Sequence, residues 1–247
     1  MSKTEGGHLT NVVNFENLIS QAVSHGSTYN PSREALTVSF MQAHLKASKS
    51  SIETVDIALA AYRIAVAARE VIFVPLSKLA TRILNALKAT ETTQQVDESA
   101  RTHIRKIQGT RATPKFTEEE KKTLAAEGKE VKEISASQMS YDDRLENFIK
   151  LITLLSTIPE YAPNEEDLKI ASLITLSHEL ESKNQAVIAA ATELSKARIA
   201  RNAVLYKNNS GLVDIAIGVK AYVKSVFGAS SPQFKQMSKF TFVKFAN

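Results

Sequence analysis

The chain has no cysteine and no tryptophan, and its 247 residues include only 8 glycines and 6 prolines. Without cysteine, disulfides, thiolate metal sites and cysteine nucleophiles are all excluded. So few backbone breakers leave few turns, which favours long helices over many short strands. No apolar run reaches the roughly 18 residues of a membrane-spanning helix. The nearest, Ile57 to Leu76, is interrupted by Arg63, Arg69 and Glu70. Met1 to Asn11 lacks the basic-then-apolar pattern of a secretory signal, so a cytoplasmic location is the expectation. Nucleophile elbows, phosphate-binding glycine loops and the paired Glu-x-x-His motifs of carboxylate metal bundles are absent too. No enzyme activity, cofactor or metal is therefore expected.

What is present is globular in character, with 43% hydrophobic and 23% charged residues. The net charge of +5 is unevenly placed. From Ser195 to Asn247 nine lysines and arginines face Asp214 alone, a balance of +8 by subtraction. Such asymmetry suits an anionic partner, or an acidic surface of the same molecule.

The two halves of the chain resemble each other. Sliding the sequence by 132 positions aligns Tyr29 and Pro31 with Tyr161 and Pro163, and the match runs on without a gap to Ala89 and Ala221. Glu34, Leu36, Val55, Ala65, Arg69 and Ile83 meet Glu166, Leu168, Val187, Ala197, Arg201 and Ile215, among 13 identities in 61 positions. Upstream, Phe15 to Ile19 resembles Leu145 to Ile149. Downstream, Ile104 to Ile107 resembles Met237 to Phe240. Internal similarity of this kind marks a repeat. The expected organisation is a first helical unit at 1–112, a polar connector with a short helix at 113–138, and a second unit at 139–247. In the connector, Thr117 to Glu120 has capping-box spacing and Gly128 ends the helix.

Each unit is expected to hold one long helix of about 40 residues, or roughly 60 Å. Val38, Met41, Leu45, Ser48, Ile52, Val55, Leu59, Tyr62, Val66, Arg69 and Phe73 follow steps of three and four, which is a coiled-coil heptad seam. The second seam runs through Ile170, Leu173, Ser177, Leu180, Asn184, Val187, Ala191, Leu194, Arg198, Arg201 and Leu205. Ser32 and Asn164 are the expected N-caps. Pro75 and Asn208 to Gly211 are the expected stops. Shorter helices are expected at Phe15–Ser24, Leu76–Ala89, Tyr141–Leu155 and Leu212–Phe227, the last closed by Gly228. Ser140 and Ser231 cap two starts, and only Phe240 to Phe245 alternates like a strand. The fold class is thus all-α, an elongated multi-helix bundle built from two repeated units.

Candidate site residues are few. Arg69 and Arg201 sit at matching seam positions, where they could hold an anion or pack against the bundle and pair with a glutamate. Asn184 is a candidate register-fixing polar residue. Asp142, Asp143 and Glu146 cluster at a helix start, where acids serve the helix dipole. Lys220 and Lys224 share one side of an amphipathic segment, 211–227. Together with Lys235, Lys239 and Lys244 they would form a basic surface for anionic membranes. Phe234, Phe240, Phe242 and Phe245 among those lysines would alternatively stack on nucleic-acid bases, a reading ranked lower. The leading expectation is a structural or protein–protein interaction protein that self-associates through helical faces, as a homo-oligomer or with a protein partner.

Overall fold

A computed structural model describes residues 3–110 and 140–245, and among them there is no strand. Eight α-helices are described: α1 (Lys3–Ser24), α2 (Val38–Phe73), α3 (Leu76–Lys88), α4 (Gln94–Gln108), α5 (Tyr141–Ser156), α6 (Ile170–Tyr206), α7 (Leu212–Phe227) and α8 (Pro232–Ser238). Short 3-10 turns occupy Gly26–Thr28, Glu34–Leu36 and Glu166–Leu168. The connector expected at 113–138, with its capping box and Gly128, lies outside the described residues.

The long helices begin later than Ser32 and Asn164 suggested, at Val38 and Ile170. A buried hydrogen bond explains each delay. The Tyr29 hydroxyl donates to the Leu36 carbonyl at 2.7 Å, and the Tyr161 hydroxyl to the Leu168 carbonyl at 3.0 Å. This bond holds the intervening chain as a 3-10 turn that ends in an extended residue, Thr37 (ψ 149°) or Lys169 (ψ 143°). An extended residue cannot continue a helix, so the first helical turn starts beyond it. The cap role falls to Thr37, whose Oγ1 accepts from the Phe40 amide at 3.4 Å. Burial pushes the Tyr161 phenol up to about 12 and raises Tyr29 as well, so both keep the donated proton.

The chain divides into two compact units that cut across the sequence halves. One comprises residues 1–63 and 190–247. Its core joins Phe15, Leu18 and Ile19 of α1, the Tyr29–Leu36 turn and Met41 to Leu205, Leu212, Ile215, Ala216, Val219 and Val223. A smaller cluster packs Val55 of α2 on Leu194 and Ala197 of α6. The α6–α7 corner is tightly built. Asn209 adopts the left-handed conformation (φ 65°), its carbonyl accepts from Arg33 at 2.6 Å, and its amide donates to Asp214 at 2.8 Å. A Cβ on Gly211 would lie 2.6 Å from the Lys207 amide nitrogen, so only glycine fits there. After α8 the chain runs along α1 without forming the strand that its alternation suggested. The Asn11 side chain takes the partner's place: its Nδ2 donates to the Val243 carbonyl at 2.7 Å and its Oδ1 accepts the Val243 amide at 3.0 Å.

The other unit is contiguous, residues 64–189. Phe73, Leu76, Ala80, Ile83 and Leu87 bury with Ala100, Ile104 and Ile107 of α4, Phe148, Leu151 and Leu155 of α5, and Leu173 and Leu180 of α6. Helix α4, which is not among the helices expected from the sequence, contributes Ala100, Ile104 and Ile107 to this core. Arg144 donates to the Ile107 and Phe73 carbonyls, both at 3.1 Å, placing a cation at two helix C-termini. The Ser140–Asp143 cap forms as its spacing suggests, with the Asp143 amide 3.0 Å from Ser140 Oγ.

Replacing Tyr161 with Phe leaves the buried Leu168 carbonyl without its donor and should cost about 1–3 kcal/mol. Urea denaturation would measure it, and an unchanged midpoint would show the bond to be dispensable. A second test concerns pH. Burial lowers the pKa of His44 while its bond to the Val204 carbonyl partly opposes the shift, and burial likewise lowers His103. The unfolded chain therefore binds these protons first, near pH 6.5. Stability should fall as pH drops from 7 through that value. The melting temperature should be flatter with pH in His44→Asn than in the unaltered protein.

Candidate interaction surface

Every one of the eleven seam positions in α2 is buried or half-buried. A second apolar row runs along the opposite side of the same helix. Ile57, Ala60, Ala61, Ile64, Ala67, Ala68 and Val71 also follow steps of three and four, and Val74, one residue past the helix end, continues the line; all are exposed except the half-buried Ala68. Ile57, Ile64, Val71 and Val74 are 64%, 70%, 72% and 71% exposed. With 100° per residue, this row lies about 180° from Val55, Tyr62 and Phe73. It covers about 25 Å of helix. Arg63 and Glu70, both exposed, border it on one edge, and Glu53 closes its N-terminal end. A surface helix ordinarily turns a polar side outward, so α2 departs from the rule over five turns.

Helix α6 provides the comparison. Shifted by 132, the same row falls on Ala189, Thr192, Glu193, Lys196, Ile199, Ala200 and Ala203, all exposed, and on the half-buried Tyr206. Here polar residues occupy the centre, and Lys196 and Glu193 pair at 2.7 Å. Eight of the eleven expected seam positions of α6 are nevertheless buried. Ile170 is half-buried, Ala191 and Arg198 are exposed, and Ala197 is buried beside the latter. Both long helices thus bury an inner seam, but only α2 carries an apolar outer row.

The residues singled out in the sequence are mostly engaged within their own units. Arg69 lies over the Tyr141 ring at 4.0 Å, whereas Arg201, 4% exposed, bonds Asn202 Oδ1 through Nε and Nη2. The two arginines belong to different compact units. Asn184 donates to Asp142 at 2.9 Å; Asp143 serves the cap, and Glu146 pairs with Lys150 at 2.6 Å. Among the described residues no group of three His, Asp or Glu side chains could hold a metal. Lys220 donates to the Phe240 carbonyl and lies 5.2 Å from the Phe242 ring, and burial lowers its pKa. Lys224 lies 5.7 Å from the Phe234 ring. Lys244 pairs with Asp214 at 2.8 Å. Lys235 and Lys239 are exposed. The basic region therefore directs three of its five named lysines onto its own helices and aromatic rings.

The clefts described are open to solvent. The largest of those described, about 540 Å³, is lined by Arg82, Asn85, Thr90, Tyr161, Asn164 and Glu165 among others. Arg82 is held in a two-bond ion pair with Asp167, one contact at 3.1 Å. That carboxylate is held below its ordinary range by the arginine. Among the described residues no helix is long and apolar enough to cross a membrane. No family model, curated protein or solved structure matches this chain.

Because Ile64 and Val71 are exposed, the double substitution Ile64→Asp, Val71→Asp should leave the helical circular-dichroism signal and the chemical stability of the monomer within about 1 kcal/mol of the original. A large loss of stability would mean that this face is covered by the chain's own residues.

Proposed function

We propose that the protein is a non-enzymatic interaction protein that self-associates through the outer face of α2. The observation that carries this is the exposed apolar row from Ile57 to Val74. Its heptad spacing suits another helix: steps of three and four keep one face against a partner along its length. Among the described residues α2 packs through the inner seam on its opposite side, and the row stays exposed. Helix α6 buries its own seam with Thr192, Glu193 and Lys196 outside. The difference between the two helices is best accounted for by a partner that uses α2 alone.

In the same reading, 1–112 and 139–247 derive from one duplicated unit. The matched Tyr–Leu bonds and 3-10 turns support this. So does the burial of Ala80, Ile83 and Leu87 in α3 beside that of their counterparts 132 positions later, Leu212, Ile215 and Val219 in α7. Membrane attachment by 211–227 is less favoured, since Leu212, Val213, Ile215, Ala216, Val219 and Val223 face the core.

Light scattering across micromolar concentrations tests the proposal. The unaltered protein should exceed the 27.1 kDa of one chain, and Ile64→Asp, Val71→Asp should return it to that mass. A strictly monomeric unaltered protein would rule out self-association.

A further inference from the structure

Large and small residues alternate along the outer row. Ile57, Ile64 and Val71 recur every seven positions, and the alanine pairs 60–61 and 67–68 lie between them. A parallel, in-register pair of such helices would set isoleucine on isoleucine at each level and leave alanine facing alanine, with gaps that close packing does not tolerate. Sizes fit when the two helices run in opposite directions. With Ile64 of one copy over Ala67 and Ala68 of the other, Val71 falls over Ala60 and Ala61, and Ile57 meets Val74. A two-fold axis makes every one of these contacts twice.

Charge selects the same register. In an antiparallel pair related by a two-fold axis, like edges of the two helices meet. The edge of this row carries Arg63 and Glu70, both exposed. In the size-matched register, Arg63 of one copy and Glu70 of the other come level to within about 3 Å along the axis, again twice. Sliding the pair so that Ile64 faces Ile64 would instead bring Arg63 against Arg63 and Asp56 against Glu70. Glu53, which closes the N-terminal end of the row, projects past the end of the opposing α2.

Resting on the self-association reading, we infer that the occupant of this face is α2 of a second copy. It is held antiparallel by Ile64 seated on Ala67–Ala68 and by reciprocal Arg63–Glu70 pairs. The apolar contacts supply the attraction. The exposed ion pairs are individually weak but fix direction and register.

The absence of native cysteine makes the test direct. Ile64→Cys and Ala67→Cys full-length proteins, one of them carrying a size tag, are oxidised separately and as an equal mixture. The mixture should give the cross-linked heterodimer at least about fivefold faster than either variant links to itself, because disulfides need Cα atoms within about 7 Å. A second arm measures dimer affinity by sedimentation. R63E and E70R should each weaken it about tenfold, and R63E/E70R should recover it to within about threefold. Ile64→Cys linking to itself as fast as the mixture would overturn the register, as would a double reversal no better than the singles. Either result would leave self-association standing if dimers persist. Monomers throughout, with no cross-link, would remove both.

Discussion

Burial in this protein is shared between parts of the chain that are far apart. Helix α1 covers its apolar side with α7, and the ring of His8 meets the hydroxyl of Tyr206, 198 positions later, at 2.5 Å. Neither stretch could keep its leucines and phenylalanines from water without the other, and each buried side chain of this kind contributes about 1.5–3 kcal/mol. The unit formed by residues 1–63 and 190–247 therefore closes only after the whole chain is made. The contiguous unit, 64–189, lacks that constraint. Long loops must be closed before distant contacts stabilise anything, so the two units face different folding problems within one molecule.

How much of this was legible in the sequence depends on the kind of interaction. Periodicity exposed the inner seam of α2 at all eleven positions, because apolar spacing is a direct record of which side is covered. In α6 the same rule slipped near Arg198, where Ala197 is buried instead. A helix of 3.6 residues per turn drifts from a 3.5-residue repeat, and a long arginine at the boundary tips the choice. Helix starts were misplaced for another reason. Ser32 and Asn164 are good caps by type, but a tyrosine hydroxyl bonded to a carbonyl seven residues on holds the chain out of the helix, and no propensity records such a bond. Helix α4 escaped notice because its polar residues outnumber Ala100, Ile104 and Ile107.

The outer row of α2 was written in the sequence throughout. A second heptad pattern on a helix that already carries one reads as general apolarity, so periodicity alone does not separate the two faces. The basic region shows the converse. A surplus of +8 suggested an anionic partner, yet Lys220, Lys224 and Lys244 turn toward a carbonyl, aromatic rings and Asp214. Formal charge counts ionised groups but does not say which way they point. The burial of Lys220 is what turns an apparent surface signal into a fastening for the last residues.

That fastening has a consequence for the order of the chain. Asn11 and Val243 exchange both hydrogen bonds of an extended pair, and Phe245 lies so close to Gly7 that an added Cβ would stand 2.1 Å from its ring. Residues 7–11 and 243–245 thus lie side by side, within reach of a short linker. A linker between these two stretches would leave the same side chains of this unit against the same neighbours.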